Sequence, residues 1–272
     1  LLRERLPEWL GLTSAIPFYW ALAWWTFAGA NEITAFLPER HWLAALLAFA
    51  TATAIGCAAL SRWNEWSAAR TPTPLVLPVM VVAAVFAVGD DGHFLARGGW
   101  LAWPFALATW VWLLRWKHRA KWGNAEPSFH IATLWFLVAL ATVELAWWIE
   151  LPRLGDAAWH RAVYGLLPAA GLVMLLSPGN RERWPVRAHP DAYLGVAAGG
   201  MAAYLWLWVL MMCFDDASAR PLPYLPILNP VEIAQGRFVV VGRVSEQGAD
   251  FLRVVAAQTL LEVRLPQVEG RH

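Results

Sequence analysis

Charge is what this sequence has least of. Only 15% of its 272 residues are Asp, Glu, Lys or Arg, where a soluble globular domain carries about 25%. So few charges cannot clothe a water-facing surface, and an ordinary soluble domain is excluded. Cysteine is scarce too. The chain has two, Cys57 and Cys213, near opposite ends of their apolar runs and too far apart to pair, which excludes a disulfide-stapled scaffold. A net charge of +1 lacks the basic excess that a nucleic-acid partner requires. Neither a Gly-rich phosphate loop nor a Cys/His metal-ligand spacing is present, so no cofactor and no metal is expected. No cleavable signal pattern precedes the first apolar run, and position 1 is Leu; the chain is expected to be a fragment of a longer protein.

What the chain has instead is apolar length. Hydrophobic residues make up 59% of it and its mean hydropathy is +0.44. They fall in blocks separated by short charged loops, the pattern of several membrane-spanning helices. The stretch 129–149 is typical: 21 residues with one charge, Glu144, and as a helix about 30 Å long, one hydrocarbon core. Seven spans are predicted, at 10–30, 41–60, 74–89, 100–116, 129–149, 159–177 and 193–214. The fold class is therefore an all-α, polytopic transmembrane helix bundle. The third span, with 16 residues, is short and should thin the bilayer or sit against its neighbours.

Lys and Arg orient it. One alternate set of loops holds Arg3, Arg5, Arg62, Arg70, Arg115, Lys117, Arg119, Lys121, Arg181, Arg183 and Arg187, eleven in all. The other set, up to residue 235, holds five: Arg40, Arg97, Arg153, Arg161 and Arg220. The first set is expected in the cytoplasm, which puts the N-terminus inside and the acidic loops outside, in a bacterial cytoplasmic (inner) membrane.

An internal repeat is expected from three ordered matches. Leu22-Ala23-Trp24-Trp25 returns as Leu145-Ala146-Trp147-Trp148 at an offset of 123. Arg62-Trp63 returns as Arg183-Trp184 at an offset of 121, and Asp90-Asp91 as Asp215-Asp216 at 125. Residues 1–122 would form one four-helix copy and 123–235 a second in the same orientation. In the second copy the fourth span is replaced by an outer Pro-rich segment, 221–230. From 236 the text changes. All 20 Trp lie between Trp9 and Trp208, while the tail has five Arg. A charge at a helix centre costs about 2.5–3.5 kcal/mol on insertion, so 236–272 is expected not to span the membrane.

Candidate site residues are few. Glu144 lies about 8 Å below the outer end of its span, level with Tyr164 and one turn from Arg161 on the following helix. Two readings stand: a proton or substrate site, and a local contact that fixes the hairpin. Outside, Glu32, Asp90, Asp91, Asp215 and Asp216 gather with histidines; paired carboxylates with imidazoles bind cations or act as acid and base, and solvated loop carboxylates are the alternative. Gly195, Gly199 and Ala203 place small residues on one face of the seventh span, which suits close helix packing.

One stretch carries a resemblance. Arg187-Ala-His189-Pro190-Asp-Ala-Tyr193, Trp206-Leu-Trp208, and above all Pro221-Leu-Pro223-Tyr224-Leu-Pro226-Ile-Leu-Asn229-Pro230 resemble a large family of bacterial multi-pass predicted membrane proteins described as a domain of unknown function. The resemblance covers about 1–235. It implies a membrane location and a many-helix architecture and brings no activity. The expected function is a non-catalytic envelope scaffold or assembly factor whose partners are the lipid bilayer and the remaining helices of a longer chain. The alternatives are an enzyme or flippase for lipid-linked glycan at the outer face, and a proton-coupled transporter using Glu144.

Overall fold

The computed structural model describes residues 8–63, 66–120, 126–150 and 157–213. Among these residues every regular element is helical. Asp215, Asp216, the segment 221–230 and the tail 236–272 lie outside the described residues. The chain divides into two compact units, 1–122 and 123–272.

The first unit contains α1 (Glu8–Phe36), α2 (Trp42–Trp63), α3 (Val76–Asp91) and α4 (Gly99–Ala120). Its centre is α2, which packs against the other three. Buried residues Leu47, Thr51, Ala54, Ala58 and Ser61 recur on α2 at alternating steps of four and three, so one face of the helix is a stripe of small side chains. Small side chains let helix backbones approach closely, which lipid alone does not drive. The neighbouring α4 lies along α2 and buries bulk: Trp103, Trp110, Leu113 and Leu114 are at most 3% exposed.

The third span is longer than expected. The helix α3 has 16 residues, but the 3-10 turns Ser67–Arg70 and Thr73–Leu75 precede it, so an apolar rod of 24 residues runs from Ala68 to Asp91. Pro72 and Pro74 lack the N–H that an α-helix would need there, and the tighter turns take its place. At the far end Gly92 adopts φ 76° and its N–H caps the Val88 carbonyl at 3.0 Å, a left-handed C-cap that a side chain resists.

The second unit contains α5 (Glu126–Glu150), α6 (Ala157–Leu176), the single turn α7 (Pro178–Arg181), a π-helical segment Asp191–Ala197 and α8 (Ala198–Cys213). The core joins α6 and α8 through Ala169, Leu172, Met201, Leu205 and Trp208. Two glycines admit aromatic rings: a Cβ on Gly165 would lie 2.6 Å from the Trp208 ring, and one on Gly200 2.9 Å from Trp135. The face Gly195–Gly199–Ala203, expected to pack, is exposed, and nothing lies within 4 Å of a Cβ built on Gly195 or Gly199. The close approach falls one residue on, because α8 turns Met201, Leu205 and Trp208 inward and Gly200 flanks that face.

Among the described residues five helices are long and apolar enough to cross a membrane: Glu39–Trp63, Ala68–Asp91, Glu126–Ile149, Trp159–Leu176 and Asp191–Cys213. The helices α1 and α4 are long enough but carry four and five Trp. An indole is amphipathic, and it serves helix ends better than helix centres.

Candidate functional site

Glu144 is 9% exposed on α5 and accepts a hydrogen bond from Trp148 Nε1, one turn along, at 3.0 Å. Arg161 and Tyr164 stand on α6, half-buried, and α6 packs along α5. The Tyr164 carbonyl accepts from the Tyr204 hydroxyl of α8 at 3.1 Å, and the Tyr164 ring lies 5.1 Å from that of His160. Glu144 thus sits in a protein-lined position with an indole donor on its own helix.

Among the described residues, the acidic side chains expected in outer loops, Glu32, Asp90 and Asp91, lie in helices. Glu32 is in α1, which continues to Phe36, and is exposed. Asp90 and Asp91 close the last turn of α3. Asp90 is exposed, and Asp91 pairs with Arg97 Nη2 at 2.6 Å. The loop between α3 and α4 is tied down a second time. Arg40 Nε donates to His41 Nε2 at 3.1 Å, and His41 Nδ1 lies 2.9 Å from the Arg97 carbonyl. With Nε2 accepting, Nδ1 carries the proton and donates to that carbonyl. Such contacts shape a loop end.

The most concentrated polar chemistry lies elsewhere, at the opposite end of α5 from Glu144. Glu126, the first residue of α5, and His130, one turn on, share a helix face. Both are buried, His130 completely. From the segment before α8 comes His189, whose Nε2 stands 3.5 Å from Glu126 Oε1, with side-chain exposures of 14% and 10%. The His130 and His189 rings lie 4.4 Å apart, and His130 Nδ1 is 2.9 Å from the Tyr193 hydroxyl. The indole of Trp184 walls the site with its ring 6.0 Å from that of His130.

Local structure explains why these residues meet. Pro127 follows Glu126 at the start of α5, where its missing N–H costs nothing. Pro190 stops the chain after His189 from continuing an incoming helix. The π segment then opens, and the Tyr193 N–H bonds the His189 carbonyl at 3.1 Å. One extra residue per turn re-aims side chains, and such turns gather at functional sites. One ligand atom each from Glu126, His130 and His189 lies within 4.8 Å of the others. Sequence reading found no metal-ligand spacing, because the three come from stretches 59 residues apart. A half-signal was visible: the Glu126/His130 and His189/Tyr193 pairs each repeat at one helical turn.

Apolar rods of membrane-spanning length, exposed hydrophobic faces and few charged residues along the rods define a multi-pass helical membrane protein. Residues 6–245 match the family described as "Predicted membrane protein (DUF2339)", and the chain belongs to that family. The match includes His189, Tyr193 and the Pro-rich segment, and it runs on past residue 235, where the sequence resemblance was placed. No curated protein and no solved structure matches the chain.

Proposed function

We propose that the chain is a non-catalytic scaffold or assembly unit of the bacterial cytoplasmic membrane, joined laterally to further transmembrane helices. One observation carries this reading. Among the described side chains of α1 only Phe18 is buried, while Trp20, Trp24, Trp25 and Phe27 are 55–67% exposed. The helix is held to α2 by a narrow seam in which Trp25 stacks on Phe49 and donates to Thr53 Oγ1 at 3.1 Å. Apolar grooves of about 580 and 540 Å³ flank that seam. A helix that from residue 15 to residue 36 commits so little of itself to its own unit has faces to offer to others, and TM association rests on such packing.

A photo-crosslinking amino acid at Trp20, Trp24 or Phe27, activated in native membranes, is expected to give one protein adduct of the same mass from all three positions. Adducts with lipid alone would overturn the scaffold reading.

The proposed orientation places the N-terminus in the cytoplasm, and the two units are proposed to be parallel repeats. The eleven-to-five charge split and the central place of the second helix in each unit, α2 and α6, support this. Cysteines at Trp63 and Asn180 should react with an impermeant thiol reagent only after the membrane is opened, and one at Glu39 in intact cells. Trp63 and Asn180 reporting from different sides would remove the parallel repeat. Both labelling from outside would reverse the orientation.

A further inference from the structure

The Glu126–His130–His189 cluster has the composition and the spacing of a transition-metal ligand set. Two imidazoles and one carboxylate suit a borderline divalent ion, whereas calcium and magnesium prefer oxygen alone. Two ligand atoms on a tetrahedral zinc, each about 2.1 Å from it, stand about 3.4 Å apart. Glu126 Oε1 and His189 Nε2 are 3.5 Å apart, and all three ligand atoms fall within 4.8 Å, so a small contraction closes the set.

The surroundings agree. Metal-bound histidines as a rule hand their other ring nitrogen to a fixed partner, which selects the tautomer. His130 Nδ1 has such a partner in the Tyr193 hydroxyl at 2.9 Å; with Nδ1–H donating to that oxygen, Nε2 presents its lone pair. The backbone holds all three, since Glu126 and His130 ride on α5 and the His189 carbonyl accepts from the Tyr193 N–H of the π segment. Burial also matters, since a cation beside a buried carboxylate reduces the cost of burying its charge.

We propose that Glu126, His130 and His189 bind a zinc-class divalent metal ion that ties the start of α5 to the segment leading into α8. Three protein ligands leave a fourth position for water, as in open zinc sites. The proposal is independent of the scaffold reading.

The test uses the full chain in detergent micelles, stripped with a chelator and titrated with Zn²⁺ against a chromophoric competitor. A single tightly held ion is expected, and Co²⁺ in its place should give visible d–d bands of a four-coordinate site. Tyr193→Phe should weaken affinity about 10–100-fold, and His130→Ala or His189→Ala should weaken it further. Should either alanine variant lose its helical circular dichroism, Glu126→Gln, which keeps the shape and removes the anionic ligand, decides the matter by the same titration. Failure of the folded wild-type chain to hold an ion against the competitor overturns the proposal. So does equal affinity in wild type and the folded variants, since the ion would then sit elsewhere.

Discussion

Replacing Trp110 by Ala should lower the unfolding free energy of the first unit by about 3 kcal/mol, the lower edge of the range for Trp→Ala in soluble cores. Among the described residues Trp110 is the largest side chain with no exposure. It stands on α4, which packs along α2. The usual cost of such a truncation has two parts, a lost transfer from water and a cavity. In a membrane the first part shrinks, because lipid tails are as apolar as a protein core. The cavity part stays, since the indole's dispersion contacts vanish and helices held by other contacts cannot collapse into the gap. Trp100 on the same helix is 62% exposed, so Trp100→Ala should change stability by no more than about 0.5 kcal/mol. Reversible unfolding in mixed micelles measures both. Equal losses for the two would mean that packing within the unit does not hold α4.

How much of this was legible beforehand follows from the physics of each signal. Each predicted span falls on a helix among the described residues, because a long, mainly apolar stretch leaves few alternatives, and five helices there are long and apolar enough to cross a membrane. Their ends were less legible. The helix α1 runs through Asn31-Glu32-Ile33-Thr34 to Phe36; a polar residue ends a hydropathy block, but it ends a helix only if the backbone has a reason to stop. That is why Glu32 was placed in a loop and lies on a helix. The third span gains its length from 3-10 turns before Val76, which begin ahead of the predicted start at residue 74.

The face of packing was least legible. The stripe Gly195–Gly199–Ala203 has the spacing of a helix contact and is exposed, since spacing says that small residues share a face but not which face has a neighbour. The cluster of Glu126, His130 and His189 was missed for a related reason. Glu126 lies before the predicted start of its span at 129 and read as loop, and His189 comes from a run noticed only as part of a family resemblance. Nothing local in either stretch says that the two run to the same place.

The same distinction sets up opposite outcomes at two glycines. On α8, Tyr204 and Trp208 stand one turn apart and grip α6 at adjacent residues. The Tyr204 hydroxyl donates to the Tyr164 carbonyl at 3.1 Å, and the Trp208 ring covers Gly165. A methyl group on Gly165 would sit 2.6 Å from Trp208 ring atoms, and Trp208, 6% exposed in the core of the second unit, has little room to retreat. Gly165→Ala should therefore destabilise by about 1–3 kcal/mol, the cost of forcing a methyl into a packed interior. Gly199→Ala meets nothing within 4 Å. It should be neutral or stabilise by about 0.5–1 kcal/mol, the helix-interior advantage of Ala over Gly. A double variant separates sterics from propensity. Trp208→Phe opens the space, so adding Gly165→Ala to it should cost much less than Gly165→Ala costs alone, a coupling that residues in contact show and distant ones do not. Additive losses in that cycle, measured by thermal unfolding in micelles, would mean that Gly165 is not where α6 and α8 meet.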